Sequence, residues 1–309
     1  MLEVVEPGLH STVQDAGRAG WGHLGVRQAG AADAHALAAA NPLGGNAPAA
    51  PALEMTLLGG GFTVTADTLV GLAGADMGAS IAPGSTRLSP GASYLVRSGS
   101  RLVFEAAEDG ARTYLALAGG IDVPTVLGSA STDPVAGFGG LGGRALQTGD
   151  VLTVREPKGG TERRWPSVVP SSGVSEPALP VVVRVVPGPH LEAFPFAAEE
   201  ALVEQPWTVS PRADRVGLRL AGEPLAGADA LDLVSLPLVP GAIEVPASGQ
   251  PIVLMPDAPT VGGYPVPAVV AAADRPRLGQ LRPGDELRFR WVSLDEARRA
   301  MVEQRERLV

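Results

Sequence analysis

A short segment near the N-terminus brings three polar side chains together between glycines. Thr12–Trp21 reads TVQDAGRAGW, so an amide (Gln14), a carboxylate (Asp15) and a guanidinium (Arg18) stand within five residues. Each glycine would weaken a helix by about 1 kcal/mol, which favours a turn. A glycine turn lets the backbone approach a ligand, and a guanidinium matches a carboxylate or phosphate. Alternatively, this is a tight turn in which Asp15 accepts nearby N–H groups and pairs with Arg18.

A second glycine-rich segment ends in an arginine. Gly137–Arg144 reads GFGGLGGR and contains a formal G-x-G-x-x-G. A dinucleotide site needs a strand before this motif and a helix after it, whereas a proline precedes it here and a turn into a strand follows. We therefore reject dinucleotide binding. Two alternatives remain: a flexible loop that closes over an anionic ligand with Arg144, or an ordinary surface loop.

A third candidate segment follows an apolar strand near the C-terminus. Asp257–Pro265 reads DAPTVGGYP. The pair Gly262-Gly263 would expose backbone amides to a ligand, with Tyr264 as an aromatic wall and Thr260 as a hydroxyl. The alternative is a β-turn with a packed tyrosine.

Several kinds of chemistry are excluded by composition. The chain has no cysteine, which excludes disulfides, thiolate nucleophiles and Cys-ligated metals. Its four histidines show no metal-binding spacing, so we predict no metal site, although His23 and His190 border glycine turns and stay open as acid or base groups. No G-x-S-x-G elbow occurs, which disfavours a hydrolase triad. The single lysine, Lys158, lies in a Pro/Gly-rich stretch unsuited to Walker-type phosphate binding or a Schiff base.

The overall balance of residues predicts a folded protein of two domains. The chain has 309 residues, of which 45% are hydrophobic and 18% charged. A net charge of −9 argues against nucleic-acid binding. No apolar run approaches the roughly 20 residues of a membrane span, and Met1–Glu6 does not resemble a signal peptide, so we expect a cytoplasmic protein without a membrane partner.

Glycines and prolines divide the chain into short alternating segments that favour β structure. There are 40 Gly and 29 Pro. Predicted strands include Gly61–Thr65, Thr113–Leu117, Val181–Val186 and Pro251–Met255. Predicted helices are Ala31–Ala40, stopped by Asn41-Pro42, then Phe194–Val203, and Leu294–Arg305 behind a Ser293/Glu296 capping box. We therefore expect a mainly β, closed or nearly closed architecture with a few short helices.

The two halves end in similar turns. Leu146–Leu152 (LQTGDVL) and Leu281–Leu287 (LRPGDEL) each deliver the chain into a strand. Glu156–Pro180 between them is rich in Pro, Gly, Ser and charge, as linkers are. We place the domain boundary near residue 165, giving domains 1–165 and 166–309.

In their order along the chain these segments resemble a known family. It is allophanate hydrolase subunit 2, also called the biotin-dependent carboxyltransferase family or the 5-oxoprolinase C subunit family, and it includes KipA-like proteins. The matching stretches are Thr12–Arg18, Ala29–Ala31 with Asp33, Asn41–Asn46 (NPLGGN), Ala52–Thr56 (ALEMT), Ala118–Asp122 (AGGID), Gly137–Arg144 with Gly149-Asp150, Ser210–Leu220 (SPRADRVGLRL), Ile243–Ile252 (IEVPASGQPI), Asp257–Pro265 and Pro276–Asp285.

The resemblance implies two β-barrel-like, cyclophilin-like domains and a heteromeric complex. Its members pair with a smaller subunit-1 or KipI-like protein and, in 5-oxoprolinase, with a LamB/YcsF-like subunit. That complex is a hydrolase, which converts 5-oxo-L-proline to L-glutamate with ATP (and Mg). We expect the same activity here, with Arg18 and Arg144 holding a carboxylate or phosphoryl group and Gln14 and Asp15 orienting the lactam.

The remaining site residues come from the Asp257–Pro265 segment. The Gly262-Gly263 amides would stabilise developing oxyanion charge, and Thr260 and Tyr264 would contact the substrate. This chain departs from the family pattern here. The family has Gln in I-Q-V-P and Gln-Thr-Thr before Gly-Gly-Tyr, but this sequence has Glu244, Pro259 and Val261, which leaves the exact substrate open.

Two alternative functions follow from the same resemblance. The chain could be a carboxyltransferase component that passes CO2 from biotin to urea or a related amide, and only this alternative requires biotin. The sequence lacks a biotin-attachment Met-Lys-Met, which favours the 5-oxoprolinase. The third reading is a non-enzymatic regulatory partner of a KipI-like kinase inhibitor.

Overall fold

The chain forms two compact units. A computed structural model describes residues 1–83, 86–155, 180–227 and 233–306. One unit comprises Met1–Arg18 and Ala29–Glu176, and the other comprises Ala19–Gln28 and Pro177–Val309. The boundary expected near residue 165 and almost all of the expected linker lie outside the described residues, so both stay predictions.

The first unit is built from two antiparallel sheets. One has six strands in the order β11-β1-β4-β9-β6-β7, and the other has five in the order β2-β3-β10-β5-β8. Their bounds are β1 Leu2–Glu6, β2 His10–Gln14, β3 Ala52–Thr56, β4 Gly61–Val64, β5 Thr68–Gly74, β6 Ser80–Ala82, β7 Thr86–Arg87, β8 Ala92–Val96, β9 Arg101–Val103, β10 Arg112–Leu117 and β11 Val151–Leu152.

Alternating apolar residues from both sheets form one core in this unit. Val4 of β1, Val13 of β2, Met55 of β3 and Phe62 of β4 belong to a single buried cluster. In an antiparallel strand, alternate side chains point to opposite faces, so each sheet contributes one apolar face. The two sheets therefore pack around shared apolar side chains.

A helix covers the opposite face of the five-stranded sheet. Helix α1 spans Ala34–Leu43 and packs its alanines against β3, β5 and β10. Gly71 of β5 permits this approach, because a side chain there would overlap the carbonyl of Ala40. Asp33 caps the helix by accepting hydrogen bonds from the N–H groups of His35 (2.9 Å) and Ala36 (3.0 Å).

The predicted end of this helix was wrong. We expected proline to stop it at Asn41-Pro42, but α1 includes both residues and begins at Ala34 instead of Ala31. Proline removes one N–H and fixes its own φ near a helical value, which the last turn of a helix tolerates. The N–H of Gly44 donates to the carbonyl of Ala40 (3.0 Å) and closes that turn.

The second unit is a closed barrel of seven strands. Their order is β12-β19-β16-β17-β14-β13-β20. Neighbouring strands are antiparallel except for β12 and β20, which are parallel. In that pair, Val181 lies opposite Leu287 and Val185 lies opposite Trp291. The strand bounds are β12 Val181–Pro187, β13 Trp207–Val209, β14 Gly217–Ala221, β16 Ala242–Glu244, β17 Ile252–Leu254, β19 Ala268–Val270 and β20 Glu286–Trp291, with β15 Leu236–Pro237 and β18 Val261–Gly262 forming a separate two-stranded sheet.

Helices lie between or after the barrel strands. They are α2 Phe196–Glu204, α3 Arg275–Leu278 and α4 Leu294–Glu306. The capping box is confirmed: the Ser293 N–H donates to Glu296 Oε2 at 2.8 Å, and the Glu296 N–H donates to Ser293 Oγ at 3.2 Å. In the part of the chain that the structure describes, no helix has the length and apolar character to cross a membrane.

The mainly β prediction with a few short helices is confirmed. The four predicted strands appear as β4, β10, β12 and β17, and the helices predicted from Phe194 and Leu294 appear as α2 and α4. The two similar turns also lead into strands. In each, the aspartate before the strand accepts a backbone N–H three residues earlier, Asp150 from Gln147 (2.7 Å) and Asp285 from Arg282 (2.8 Å).

Breaking the buried ion pair of the second unit should destabilise that unit. The Arg215 guanidinium donates to both carboxylate oxygens of Asp257, at 2.8 and 3.0 Å, and both residues are buried. Asp257→Ala leaves a buried guanidinium without this partner, which costs about 3–5 kcal/mol of unfolding free energy. Urea denaturation followed by tryptophan fluorescence measures the loss. Asp295→Asn, which weakens an exposed pair with Arg298, is the control and should change stability by about 1 kcal/mol or less.

Candidate functional site

Asp15 is the centre of a buried hydrogen-bond cluster in the first unit. Its carboxylate accepts from the hydroxyls of Ser129 (2.5 Å) and Ser131 (2.6 Å) and from the N–H groups of Ala130 (2.6 Å) and Gly17 (2.8 Å). Hydrogen bonds to a carboxylate are stronger than those between neutral groups. Asp15 thereby fixes the end of β2 to Ser129–Ser131, a segment more than a hundred residues away in sequence.

Arg18 also has partners inside the first unit. Its side chain is only 2% exposed and donates to the carbonyl of Ser131 and, at 3.5 Å, to that of Val126. Its guanidinium carbon lies 4.8 Å from the centre of the Phe138 ring, a cation–π distance. The predicted contact of Arg18 with a ligand stays a prediction; the structure shows Arg18 holding two backbone segments and an aromatic ring.

The glycine-rich segment packs against this cluster. Gly139 has a φ of +74°, and a side chain there would overlap the carbonyl of Ser131 and approach the Arg18 guanidinium. A side chain at Gly140 would overlap the Thr132 hydroxyl. The structure therefore brings together the two segments that sequence reasoning treated separately, and glycine is required where they meet.

Arg144 is engaged at the other end of that segment. Its guanidinium donates to both carboxylate oxygens of Asp150, at 2.7 and 2.8 Å, and its side chain is 40% exposed. The hydrogen bonds from Arg144 are the main cause that holds the pKa of Asp150 below its usual value. An anion would have to compete with Asp150 for this arginine.

Gln14 lies beside the cluster with one polar atom unmatched. Its amide nitrogen donates to Thr12 Oγ1 at 3.0 Å and to the Thr132 carbonyl at 3.4 Å. Its Oε1 is buried and has no hydrogen-bond partner among the residues that the structure describes. Gln14 has no exposed surface and packs β2 on the Ser129–Thr132 segment. Its predicted role in orienting a lactam stays a prediction.

A second buried network lies under helix α1. The Tyr114 hydroxyl donates to Glu54 Oε2 at 2.6 Å and accepts from the Asp33 N–H at 2.8 Å, while the Ala32 N–H also donates to Glu54 at 2.9 Å. Burial raises the pKa of Tyr114 well above its usual value, with the Glu54 charge next in importance. This network holds the residue that caps α1.

In the second unit, the paired glycines lie in and after β18. The antiparallel ladder pairs Leu236 with Gly262, and the Leu238 N–H donates to the Thr260 carbonyl at 2.8 Å. Hydrogen-bonded pairs alternate along such a ladder, so the Gly262 N–H is directed at the Leu236 carbonyl. Gly263 and Tyr264 are exposed. Of the two amides predicted to stabilise an oxyanion, the Gly263 N–H is thus the one outside the ladder.

Glu244 of β16 lies directly against Gly262. Glu244 is 6% exposed, and a side chain built on Gly262 would come within 2.6 Å of its Oε1 and 2.5 Å of Leu238 Cδ1. Within the described part of the chain, Oε1 has no hydrogen-bond partner. Burial raises the pKa of Glu244. A side chain at position 262 would therefore displace the ends of the Glu244 and Leu238 side chains.

Sequence reasoning missed Ser129, Ser131 and the placement of Glu244. The serines lie in an unremarkable polar stretch, and only the fold brings them to Asp15. Glu244 did carry a signal, since it is an acidic residue between the apolar Ile243 and Val245. The histidines left open have backbone partners: His190 Nδ1 accepts from the Val266 N–H (3.0 Å), and His23 Nδ1 lies 3.0 Å from the Gly20 carbonyl.

Removing the Asp15 carboxylate should destabilise the first unit. In Asp15→Ala, the buried hydroxyls of Ser129 and Ser131 and the Ala130 N–H lose their acceptor, and each buried group left unsatisfied costs about 1–3 kcal/mol. The unfolding free energy should therefore fall by several kcal/mol, measured by denaturant titration with circular dichroism. Asp122→Ala, which removes an exposed pair with Arg155, should leave stability almost unchanged. An equally mild effect at Asp15 would contradict this role.

Comparison with known proteins identifies the family. The family model described as "Carboxyltransferase domain, subdomain A and B" matches residues 24–291. The Escherichia coli protein named as the C subunit of 5-oxoprolinase is 39% identical over 304 residues, which cover 98% of this chain and 95% of that protein. The Haemophilus influenzae protein of the same name is 34% identical over 298 residues, covering 96% and 93% of the two chains.

A solved structure supports the same assignment. The Kluyveromyces lactis urea carboxylase has a TM-score of 0.88 to this chain at 29% identity, covering 99% of this chain and 29% of its own. This chain thus corresponds to less than a third of that larger protein. The protein described here belongs to the family of the carboxyltransferase domain, subdomains A and B.

Proposed function

We propose that this chain is the C subunit of an ATP-dependent 5-oxoprolinase complex, which converts 5-oxo-L-proline to L-glutamate. The observation that carries the proposal is its similarity to two bacterial proteins of that name over nearly their whole length. The proposal extends to the complex: a smaller subunit-1 or KipI-like partner, a LamB/YcsF-like subunit, and a cytoplasmic location.

The reaction sets chemical requirements that the site residues can be judged against. Opening the lactam ring is an amide hydrolysis, which needs groups that orient the amide and donors that stabilise charge developing on its oxygen. The surface around Gly262–Tyr264 offers a backbone N–H at Gly263, the aromatic ring of Tyr264 and the buried carboxyl of Glu244. We place substrate contact there, with Thr260 at its edge.

The first unit has a supporting part in this proposal. Gln14, Asp15 and Arg18 are buried, and their polar contacts hold the Ser129–Thr132 segment and the glycine-rich loop. Arg144 is partly exposed and paired with Asp150. We infer that Asp15 and Arg18 keep the loop in shape, while Arg144 is the arginine that could exchange its partner for a substrate carboxylate or phosphoryl group.

ATP with Mg is assigned to a partner chain. The described residues include no cluster of three or more side chains fit to hold a metal ion. The sequence has no P-loop, and its single lysine lies outside the described ranges. These residues do not fit a nucleotide–magnesium site, so we infer that a partner chain holds the nucleotide.

Carboxyl transfer is the second candidate function. It is favoured by the family description and by the close structural match to a urea carboxylase. In that case the chain would accept CO2 from biotin carried on another chain and pass it to urea or a related amide. Both candidates act on a small planar amide, so they share a requirement for amide recognition.

An activity assay on the assembled complex separates the two candidates. Co-purified with its smaller partner and the LamB/YcsF-like subunit, the protein should hydrolyse ATP only when 5-oxoproline is added and form one glutamate per ATP. Avidin should have no effect, because no biotin takes part. Avidin-sensitive, urea-dependent ATP hydrolysis in the presence of a biotin carboxylase would favour carboxyl transfer. Partner binding without turnover or calorimetric binding of either substrate would favour the regulatory reading.

A further inference from the structure

Glu244 occupies an unusual place for a carboxyl group. Its neighbours Ile243 and Val245 are fully buried, and successive side chains of a strand point to opposite faces, so Glu244 points the other way. On that face it shares a row with Ala242, which belongs to an apolar cluster with Leu238, Leu254, Ala258 and Val266. The carboxyl group is therefore buried at the edge of apolar side chains.

The surroundings of this carboxyl provide no charge to balance it. The residue directly opposite on β17 is Ile252, and the groups closest to the Gly262 position are Leu238 and Glu244 itself. Burial is the single cause of the raised pKa, with no contribution from a charged neighbour on β15, β17 or β18. Such a position favours the neutral carboxylic acid over the carboxylate.

The Oε1 atom of Glu244 is unmatched as well as buried. No described residue donates to it or accepts from it, and leaving a buried polar atom without a partner is unfavourable. At the next residue, Gly263, a side chain would meet only Ser235 Oγ, at 3.5 Å. Tyr264 is half exposed. A buried polar atom without a partner calls for an explanation, such as a bound ligand or water.

A neutral carboxyl group has the hydrogen-bonding pattern of a primary amide. It offers one O–H donor and one carbonyl acceptor side by side, as a glutamine side chain offers N–H and C=O. Either group is complementary to the adjacent N–H and C=O of a lactam or of urea, because two parallel hydrogen bonds can form.

We propose that Glu244, in its neutral form, binds the amide group of the substrate through a pair of hydrogen bonds beside Gly262–Tyr264. The identity of that amide as 5-oxoproline rests on the proposed function, whereas the recognition of an amide group rests on Glu244 itself. An ionised Glu244 has no proton to donate to the carbonyl, so binding weakens when the residue loses its proton.

The first experiment compares variants of Glu244 in the assembled complex. Glu244→Gln should keep kcat and KM close to wild type, because it keeps the donor–acceptor pair, whereas Glu244→Ala should raise the KM for 5-oxoproline about tenfold or more. Glu200→Gln, an exposed glutamate on α2, is the matched control. Equal impairment of the glutamine and alanine variants, or full activity of the alanine variant, would overturn the proposal.

The pH dependence of KM distinguishes substrate binding by Glu244 from a purely structural role. In wild type, KM for the amide should rise as pH increases through the raised pKa of Glu244, and in Glu244→Gln it should stay flat over the same range. The facing residues Leu238, Ile252 and Gly262 do not titrate, so a difference between the two profiles belongs to Glu244. Superimposable profiles would contradict the proposal.

Gly262, which lies against Glu244, provides a second test. Gly262→Ala would place a methyl group on the Glu244 carboxyl and on Leu238, and it should raise the KM as Glu244→Ala does. Gly22→Ala, at an exposed glycine without a positive φ and with nothing within 4 Å of the added methyl group, is the control and should fold and bind normally. Normal substrate binding by a folded Gly262→Ala variant would count against the proposed site.

Measurements that need no turnover separate this inference from the proposed function. A raised folded-state pKa means that stability falls as pH rises from the usual carboxyl range through the raised value. The stability of Glu244→Gln relative to wild type should therefore grow over that range in thermal unfolding. One outcome would be a complex that does not act on 5-oxoproline, together with calorimetric binding of urea that Glu244→Ala abolishes. This result would contradict the proposed function and support amide binding by Glu244. Normal turnover with Glu244→Ala defeats the Glu244 inference alone.

Discussion

The carboxylate of Asp15 is the interaction on which the first unit depends. It sits at the end of β2 and satisfies four donors, three of them from a segment far along the chain. Because a buried carboxylate is costly unless it is fully hydrogen bonded, the cluster has one favourable arrangement. Arg18 and the glycine-rich loop then pack on the segment that Asp15 holds. The order of these contacts explains why so many glycines and hydroxyls occur together.

The second unit also buries two carboxyl groups, and their surroundings differ. The buried Asp257 is matched by Arg215 with two hydrogen bonds, at the start of the segment that leads to the paired glycines. Glu244, which lies against Gly262, has no such partner in the described part of the chain, and burial raises its pKa. Asp257 is therefore held by two hydrogen bonds from Arg215, whereas Glu244 Oε1 has no hydrogen-bond partner among the described residues.

Part of this structure could be predicted from the sequence. Alternation and turn residues are local signals, so β4, β10, β12, β17 and the capping box before α4 follow from them. The end of α1 differs from the prediction because Pro42, which was expected to stop the helix, lies in its last turn. The clusters around Asp15 and Glu244 depend on contacts between distant segments. Sequence could identify Gln14, Asp15, Arg18 and the paired glycines as unusual, but not that three of them are buried within their unit.

The parallel pairing of β12 with β20 has a consequence for how the second unit is made. These strands lie about a hundred residues apart in sequence and are the two that close the barrel. During synthesis, β12 leaves the ribosome long before β20 has been made. The backbone N–H and C=O groups on that edge of β12 therefore have no strand to pair with during this time. Contacts of such long sequence separation form slowly, and waiting strand edges are prone to wrong pairing. The yield of correctly folded barrel should therefore depend on chaperones and on the rate of translation more than that of the first unit.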